Sequence, residues 1–325
     1  MESVTIKIFS RSEDLPLLSD CQFFHSTELF KILEHTPRNT PYMVVAFDDN
    51  QRVCAHLLAT IRWRASVFFP FLYTQGRIHG EGEYAEGVDR EMLFRMMLKV
   101  ITRKFIRKLC LYIEFSDMGA KMFGYKSFRT NEYFPVRWMQ IYNSLHSKSP
   151  EERIGNKMKK RIRQAYKAGV ITRKAETEEE VMAFYQVLCN FYRMKLQRFI
   201  PHKRFFTQLN DSKQGQIFIT TYKDKVIGGC AVVYSRKDAF LWYIASRRAS
   251  YAKFHPNLMT IWNVLQTTYE DGREHLRFMN VGLPFQKNLY REFILSFGGK
   301  PVSSYRWFRI SVGWLNKLLR WIYRE

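Results

Sequence analysis

The chain has 325 residues, of which 46% are hydrophobic and 16% aromatic, a composition that suits one large or two ordinary folded domains and excludes a disordered chain. Its 52 Lys and Arg residues outnumber 30 Asp and Glu, and the formal net charge of +22 favours anionic partners: phosphorylated cofactors, nucleic acid or lipid headgroups. Five scattered cysteines without a CxxC pair, a polar amino terminus and the lack of a bilayer-spanning apolar run predict a cytoplasmic protein with free thiols.

The first half of the chain predicts a strand, a helix and then a three-strand meander joined by polar turns. Ser26 is the expected N-cap of the first helix. The predicted elements, in order, are a strand at 4–9, a helix at 26–34, strands at 42–47, 53–61 and 67–73, a glycine-rich loop at 75–87, a helix at 89–107, a strand at 109–115 and an extended segment at 133–141.

The second half repeats this order. Its predicted elements are a strand at 170–175, a helix at 177–199, meander strands at 216–222, 226–234 and 239–245, a helix at 257–271, a strand at 276–281, a helix at 285–297 and a strand at 301–310. Two segments have no counterpart in the first half: a basic junction helix at 149–168 and an amphipathic terminal helix at 311–323.

This repetition predicts an α+β (mixed α/β) fold of two similar domains, residues 1–148 and 149–325. Phe123-Gly124 and Phe297-Gly298 occupy corresponding places near the ends of the two halves. In each half a helix separates the last meander strand from the next strand, which indicates one parallel crossover. Each domain is therefore expected to be a mostly antiparallel mixed sheet flanked by helices.

The layout resembles two tandem GNAT (N-acetyltransferase) domains, and with the basic junction it is similar to the Fem family. Three motifs carry the resemblance: the basic segment 153–170, the Gly228-Gly229 strand followed by the aromatic run 240–243, and the segment 293–298. Fem enzymes are aminoacyltransferases that build peptidoglycan interpeptide bridges, and they have acetyltransferase-like relatives. Where those relatives have a lysine after the first Phe of the last motif, this chain has Ile294.

Fem enzymes that use aminoacyl-tRNA often carry a long coiled-coil arm in the second domain. Residues 177–215 offer room for one helix before Pro201, too little for such an arm. The resemblance therefore implies an arm-less enzyme, with acyl-CoA favoured over aminoacyl-tRNA as the donor.

The junction helix is strongly cationic and contains no acidic residue after Glu152. Apolar residues at 154, 158, 162 and 166 predict one packed stripe, with the remaining surface in water. The residues expected to bind phosphate groups of a donor, a substrate or RNA are Lys157, Lys160, Arg161, Arg163 and Lys167. A solvated basic face without a ligand is the alternative.

In GNAT enzymes the acyl donor lies between the third meander strand and the following strand, and its pyrophosphate meets the next helix N-terminus. The resemblance places this site in the second half, with Arg247, Arg248, Lys253 and Asn257 as donor-binding residues. The usual Gln/Arg-x-x-Gly-x-Gly/Ala loop is absent at 246–257. The corresponding first-half loop carries three glutamates, which repel pyrophosphate, so the first domain is either degenerate or binds the acceptor.

Four residues on or after the predicted donor strands are candidates for catalysis: Tyr243, Asn280, Tyr290 and Glu292. Tyr290 or Tyr243 is expected to protonate a leaving thiolate, and Glu292 to act as a base through water. The alternative for the aromatic residues is a core position. The histidine spacing provides no HxxxH or HxH pair, so no metal is expected.

Together these features predict an N-acyltransferase that moves an acyl or aminoacyl group onto an amine of a cell-envelope precursor, either an amino sugar or an amino lipid. The expected donor is acyl-CoA, with acetyl-CoA as the simplest. The alternatives are a Fem-type aminoacyltransferase that uses aminoacyl-tRNA and a non-enzymatic RNA-binding protein. The terminal helix either packs on the second domain or makes a peripheral contact at the inner face of the membrane.

Overall fold

A computed structural model describes residues 4–19, 22–65, 71–116, 124–193, 199–279 and 281–324. The first part of the chain forms the elements β1 (Thr5–Phe9), α1 (Thr27–Glu34), β2 (Asn39–Phe47), β3 (Val53–Ala65), β4 (Leu72–Ile78), β5 (Glu83–Tyr84), α2 (Arg90–Arg107), β6 (Tyr112–Ser116), α3 (Tyr125–Thr130) and β7 (Phe134–Ser144).

The second part begins with two consecutive helices instead of a strand. Its elements are α4 (Pro150–Arg153), α5 (Asn156–Lys167), β8 (Ile171–Lys174), α6 (Glu178–Tyr192), α7 (Lys203–Asp211), β9 (Gly215–Tyr222), β10 (Lys225–Ser235), β11 (Asp238–Ser246), α8 (Pro256–Glu270), β12 (His275–Phe278), α9 (Leu289–Leu295), β13 (Lys300–Ile310) and α10 (Gly313–Ile322).

The chain forms two compact units that exchange strands between the two halves of the sequence. Unit 1 comprises residues 1–138 and 303–325, and unit 2 comprises residues 139–302. Most of β13 therefore belongs to unit 1, where it pairs antiparallel with β6. The end of β7 belongs to unit 2, where it pairs antiparallel with β12. The domain boundary at 148/149 stays a prediction.

In unit 1 the sheet runs β1-β2-β3-β4-β6-β13, and its single parallel pair is β4 with β6 among the described strands. Helix α2 connects these two strands and packs its apolar side on the sheet. The core that results contains Phe94, Met97, Ile101 and Phe105 of α2, all fully buried.

In unit 2 the sheet runs β7-β12-β11-β10-β9-β8, with β11 and β12 parallel. Two adjacent glycines of β10 show how helices cover both faces. A Cβ on Gly229 would lie 2.8 Å from Phe184 of α6, and one on Gly228 would lie 3.4 Å from Pro256 of α8. Because successive strand residues point to opposite faces, α6 and α8 pack on opposite sides of the sheet.

The mixed α/β fold is confirmed, as are most element positions. Ser26 caps α1, its hydroxyl accepting a hydrogen bond from the Leu29 amide at 3.0 Å. The described cysteines form no disulfide: Cys54, Cys110, Cys189 and Cys230; Cys21 lies outside the described residues.

The third meander strand of the first half was predicted at the wrong position. Residues 72–78 form β4, so Gly76 lies within a strand and not in the glycine-rich loop; residues 67–70 of the predicted strand lie outside the described residues. A Cβ on Gly76 would lie 2.4 Å from the ring of Phe105. The glycine therefore permits close packing of α2 on the sheet and does not mark a turn.

Three predicted helices differ from those observed. The helix predicted at 177–199 is α6, which ends at Tyr192, and the separate helix α7 was not predicted. The helix predicted at 285–297 is the shorter α9, preceded by a loop. The junction helix is split into α4 and α5 because the backbone is extended at Ile154 and Gly155.

The terminal helix α10 belongs to unit 1, which corrects the expectation that it packs on the second domain. Within the described ranges no helix combines the length and the apolar character needed to cross a bilayer.

Candidate active site

Strands β11 and β12 separate part-way along unit 2. Their parallel pairing ends at Leu241 and Phe278, yet β11 continues as far as Ser246. On its other side, β11 has one extra residue at this point, since Ala231 lies opposite Tyr243 and Val232 opposite Leu241. Such a bulge bends a strand and increases its local twist. It coincides with the point where the pairing of β11 with β12 ends.

Unit 1 has no equivalent separation among its described residues. There β4 pairs with β6 up to Ile78, which is also the last residue of β4. The repeated topology is therefore opened in unit 2 only.

The amino terminus of α8 lies against the end of β11. On the neighbouring strand β10, a Cβ at Gly228 would lie 3.2 Å from the Ser246 side chain and 3.4 Å from that of Pro256, so glycine permits this approach. The N-cap residue of α8 is His255, in the left-handed conformation at φ +47°, and it makes no side-chain capping hydrogen bond. The first-turn amides of α8 are therefore not capped by a side chain of this residue.

Three buried threonines hold the first turn of α8 in place. Hydroxyl oxygens of Thr172 and Thr220 lie 2.9 Å apart, and those of Thr220 and Thr260 lie 2.6 Å apart. Thr260 then donates to the Pro256 carbonyl at 2.9 Å. This chain runs from β8 through β9 to α8 and fixes the helix start on the sheet.

The corresponding helix of unit 1, α2, is capped by its own carboxylate. Asp89 accepts a hydrogen bond from the Met92 amide at 3.0 Å. Nearby, Arg90 forms an ion pair with Glu81 at 2.9 Å. A second anion at this helix start would meet two carboxylates, so α2 is a poor phosphate site.

The loop that leads from β11 to α8 is cationic. The side chains of Arg247, Arg248 and Lys253 are exposed and form no ion pair within the described residues. Two polar atoms next to them, Oγ of Ser246 and Oδ1 of Asn257, are buried and lack a hydrogen-bond partner in the described part of the chain. These orphaned atoms fit a site completed by a polar ligand.

Helix α5 packs on α8 and on the 3₁₀ turn Ala252–Phe254 of this loop. Its buried side chains are Met158, Ile162 and Ala165. The predicted stripe was wrong at Tyr166, which is 45% exposed, because Ala165 occupies the core position. The five predicted anion-binding residues are all exposed: Lys157, Lys160, Arg161, Arg163 and Lys167.

One of these cations, Arg161, acts electrostatically on His255 at the start of α8. The pKa of His255 is lowered from its ordinary value, first by burial of the ring and second by the positive charge of Arg161. The junction helix and the donor loop, predicted separately, are thus brought together at one helix N-terminus.

The catalytic candidates occupy different environments. Tyr243 is 4% exposed and packs edge-to-face on Phe206, with ring centroids 5.3 Å apart. Tyr290, at the start of α9, is half-buried, and Glu292 is exposed on the same helix. Asn280 lies outside the described residues. Their catalytic roles stay predictions.

Sequence reasoning missed two residues that shape the loop after β12. The Asn288 side chain caps α9 through the Tyr290 and Arg291 amides and donates to the Val281 carbonyl at 3.1 Å. Arg291 donates to the carbonyls of Leu283 at 2.7 Å and Gln286 at 2.6 Å. The asparagine just before an apolar helical run was the available signal.

Ile294 is fully buried in the core of unit 2, so nothing at this position replaces the lysine of Fem relatives. Within the described ranges, no group of three or more His, Cys, Asp or Glu side chains could hold a metal ion.

Comparison with known proteins gives the same domain type. Residues 153–287 match the family model of the acetyltransferase (GNAT) domain. This range includes α5, the separated strands and the start of α8. No curated protein sequence matches the chain.

Several solved structures share the fold over nearly the whole chain. FemX is 11% identical, covers 96% of this chain and 96% of its own, and has a TM-score of 0.58. A tandem GNAT protein from the clavulanic acid biosynthesis pathway is 9% identical, with coverage of 95% and 99% and a TM-score of 0.60. A C-terminal domain assigned to a lysylphosphatidylglycerol synthetase from Agrobacterium fabrum is 11% identical, with coverage of 91% and 92% and a TM-score of 0.55.

At these identities the structures show the fold alone, whereas the family model identifies the domain. Residues 153–287 thus match a GNAT acetyltransferase domain, which supports an acyltransferase, and the whole chain shares its tandem GNAT fold with FemX and the clavulanic acid pathway protein.

Proposed function

We propose that this acyltransferase takes an acyl group from acyl-CoA, with acetyl-CoA as the simplest donor, and transfers it to an amine of a cell-envelope precursor. One observation carries the choice of donor site. The α8 N-terminus lacks a side-chain cap from His255 and faces cations, whereas the equivalent α2 is capped by Asp89. First-turn helix amides without a side-chain cap, next to arginine and lysine side chains, favour a phosphate-bearing ligand.

The residues present fit such a donor. Amides of the first turn of α8 would bind its pyrophosphate, with Arg247, Arg248 and Lys253 adding charge-assisted hydrogen bonds. The buried Oδ1 of Asn257 lacks a partner among the described residues, and it would accept a hydrogen bond from the acyl donor. Beyond Leu241, β11 is no longer paired with β12, and the rest of the donor would lie along this side of the strand.

An acyl-CoA supplies an activated thioester carbonyl, and the side chains of this protein supply orientation and proton transfer. Tyr290 is favoured over Tyr243 as the acid for the leaving group because its side chain is half-buried, whereas Tyr243 lies in an aromatic cluster. Glu292 would take the amine proton through water. Direct attack of this kind requires neither a covalent enzyme intermediate nor a metal.

The acceptor class is proposed from the Fem resemblance and from the charge of α5. Amino sugars and amino lipids of the envelope commonly carry phosphate, and the exposed cations of α5 would bind it. The fold likeness to a domain assigned to a lysylphosphatidylglycerol synthetase, whose product is an aminoacylated lipid, supports a lipid among these acceptors.

Aminoacyl-tRNA is the second candidate donor. It is favoured by the five exposed cations along α5, which could contact an RNA backbone. The lengths of α6 and α7 weigh against it. They span Glu178–Tyr192 and Lys203–Asp211, too short for the coiled-coil arm of tRNA-using Fem enzymes.

The double substitution R247A/R248A should weaken acetyl-CoA binding about tenfold to a hundredfold, because two cations at the proposed pyrophosphate site are removed. Isothermal titration calorimetry measures this. The matched control K203A/R204A removes two adjacent exposed cations from α7 and should bind as the unmodified protein does.

Charged tRNA and an unrelated RNA are titrated in parallel at two salt concentrations. Binding of any RNA that falls steeply with salt, without detectable acetyl-CoA binding, would contradict the acyl-CoA proposal. Saturable binding of charged tRNA alone would favour the second candidate.

Replacing Arg161 by alanine should raise the pKa of His255 toward its ordinary value. The positive charge that opposes protonation of the ring is removed, while burial continues to lower the pKa. NMR titration of the imidazole signals, with His255→Gln to assign its resonance, gives the value. Arg163→Ala, on the same helix, is the control; equal shifts in both variants would show that Arg161 has no specific place at the site.

Tyr290→Phe should lower kcat at least about a hundredfold with little change in KM, since it removes a proton donor and keeps the ring. Steady-state kinetics with acetyl-CoA and an amino-sugar acceptor test this, with Tyr269→Phe at an exposed position of α8 as the control. An unchanged kcat in Tyr290→Phe would remove Tyr290 from the mechanism.

A further inference from the structure

Helix α10 is attached to unit 1 through a polar residue. Asn316, 3% exposed, is its buried residue. The Asn316 side chain accepts a hydrogen bond from the Ile310 amide at 2.9 Å and donates to the Glu132 carbonyl at 3.1 Å. A helix on the surface of a globular protein normally buries apolar residues against the core and turns its polar side to water. In α10 the buried residue is polar, and Leu315 and Leu319 beside it are only half-buried.

The side of α10 that faces away from the protein is apolar and aromatic. Trp314 and Trp321 are each 70% exposed, Leu318 is 44% exposed and Ile322 is 55% exposed. Trp314, Leu318 and Trp321 are spaced by four and three residues, which places them on one face. Leaving two tryptophans in water forgoes the free energy of burying them, so this face is suited to an apolar environment.

Exposed apolar residues also lie at the neighbouring end of the unit 1 sheet. Strand β4 begins there at Leu72, 56% exposed, and Leu109 before β6 is 85% exposed. Backbone hydrogen bonds join these strand ends to the start of α10: the Leu111 amide donates to the Thr74 carbonyl at 2.8 Å, and the Ser311 amide to the Leu111 carbonyl at 2.9 Å. Exposed apolar residues therefore occur both on α10 and at the strand ends to which it is bonded.

Cations flank this apolar face. Lys317 and Arg324 are exposed and form no ion pair within the described residues, and Arg320 lies 3.8 Å from Glu132. Tryptophan together with basic side chains is the composition of helices that lie in the bilayer interface and bind anionic headgroups. A second copy of this chain is a poorer occupant, because two molecules of net charge +22 repel each other.

We propose that α10 docks unit 1 on an anionic lipid bilayer, with Trp314, Leu318 and Trp321 inserted among the headgroups and acyl-chain ends. Lys317 and Arg324 contact lipid phosphates. The helix lies in the plane of the interface and does not cross the membrane. This inference is independent of the acyl donor, and it would bring the enzyme to the surface where amino lipids and lipid-linked amines occur.

Co-sedimentation with vesicles of phosphatidylcholine, with and without phosphatidylglycerol, tests the proposal on the full chain. We expect binding to the mixed vesicles and at least tenfold weaker binding to phosphatidylcholine alone. The variant W314S/W321S should lose at least tenfold in binding to the mixed vesicles, while L17S/Y269S, which removes exposed apolar side chains elsewhere, should not. K317E/R324E should also lose binding, in contrast to the control R95E/K99E on the exposed side of α2.

Far-ultraviolet circular dichroism and thermal unfolding check that each variant is folded. If W314S/W321S does not fold, K317E/R324E still tests the proposal. Failure of the unmodified protein to bind mixed vesicles would overturn the proposal, as would W314S/W321S binding like the unmodified protein. A dimer in light scattering that becomes monomeric in W314S/W321S would also overturn it, because the face would then be an interface between copies. Acetyl-CoA binding, which is proposed for unit 2, should be unchanged in W314S/W321S.

Discussion

The parallel pairing of β11 with β12, and its end at Leu241, governs the arrangement of the rest of unit 2. Up to that point the two strands share backbone hydrogen bonds; beyond the bulge at Trp242 their backbone groups no longer pair with each other. The end of β11 then turns into a cationic loop and into α8, which can approach closely because Gly228 has no side chain. The loop and the helix N-terminus thus follow directly from the point where the pairing of β11 with β12 ends.

The two units share a topology but differ in the charge and spacing of equivalent elements. In unit 1, β4 pairs with β6 to its last residue, and the Asp89 carboxylate caps α2. In unit 2, the helix start has no such cap and lies near Arg161 of α5. Duplication thus preserves the scaffold, and the differences in capping and charge confine the favourable anion site to the second unit.

Local sequence patterns predicted most helices and strands. They could not predict features that depend on contacts between residues far apart in the sequence. The apolar spacing of α2 and the cap of α1 at Ser26 were sufficient to locate those two helices. Gly76 was misleading because a glycine required by the packing of Phe105 has the same sequence signature as one in a turn. Helix α7 was missed since Pro201 suggested only the end of a helix, although it precedes the start of the next. The exchange of β7 and β13 between units left no local signal in the sequence, because the residue pattern of a strand does not specify which strand it pairs with.

For the site, the loop cations and the basic helix were predictable as charges, but their convergence on His255 depends on how α5 packs against α8.

Hydrogen–deuterium exchange with and without acetyl-CoA tests the central claim most directly, because it reports on both units in one experiment. If the donor binds at the uncapped helix of unit 2, amides at 257–259 and in the loop from 247 to 255 should exchange more slowly when acetyl-CoA is present. The equivalent amides at 91–93 in α2 should not change. Protection at 91–93 with none at 257–259 would contradict the account.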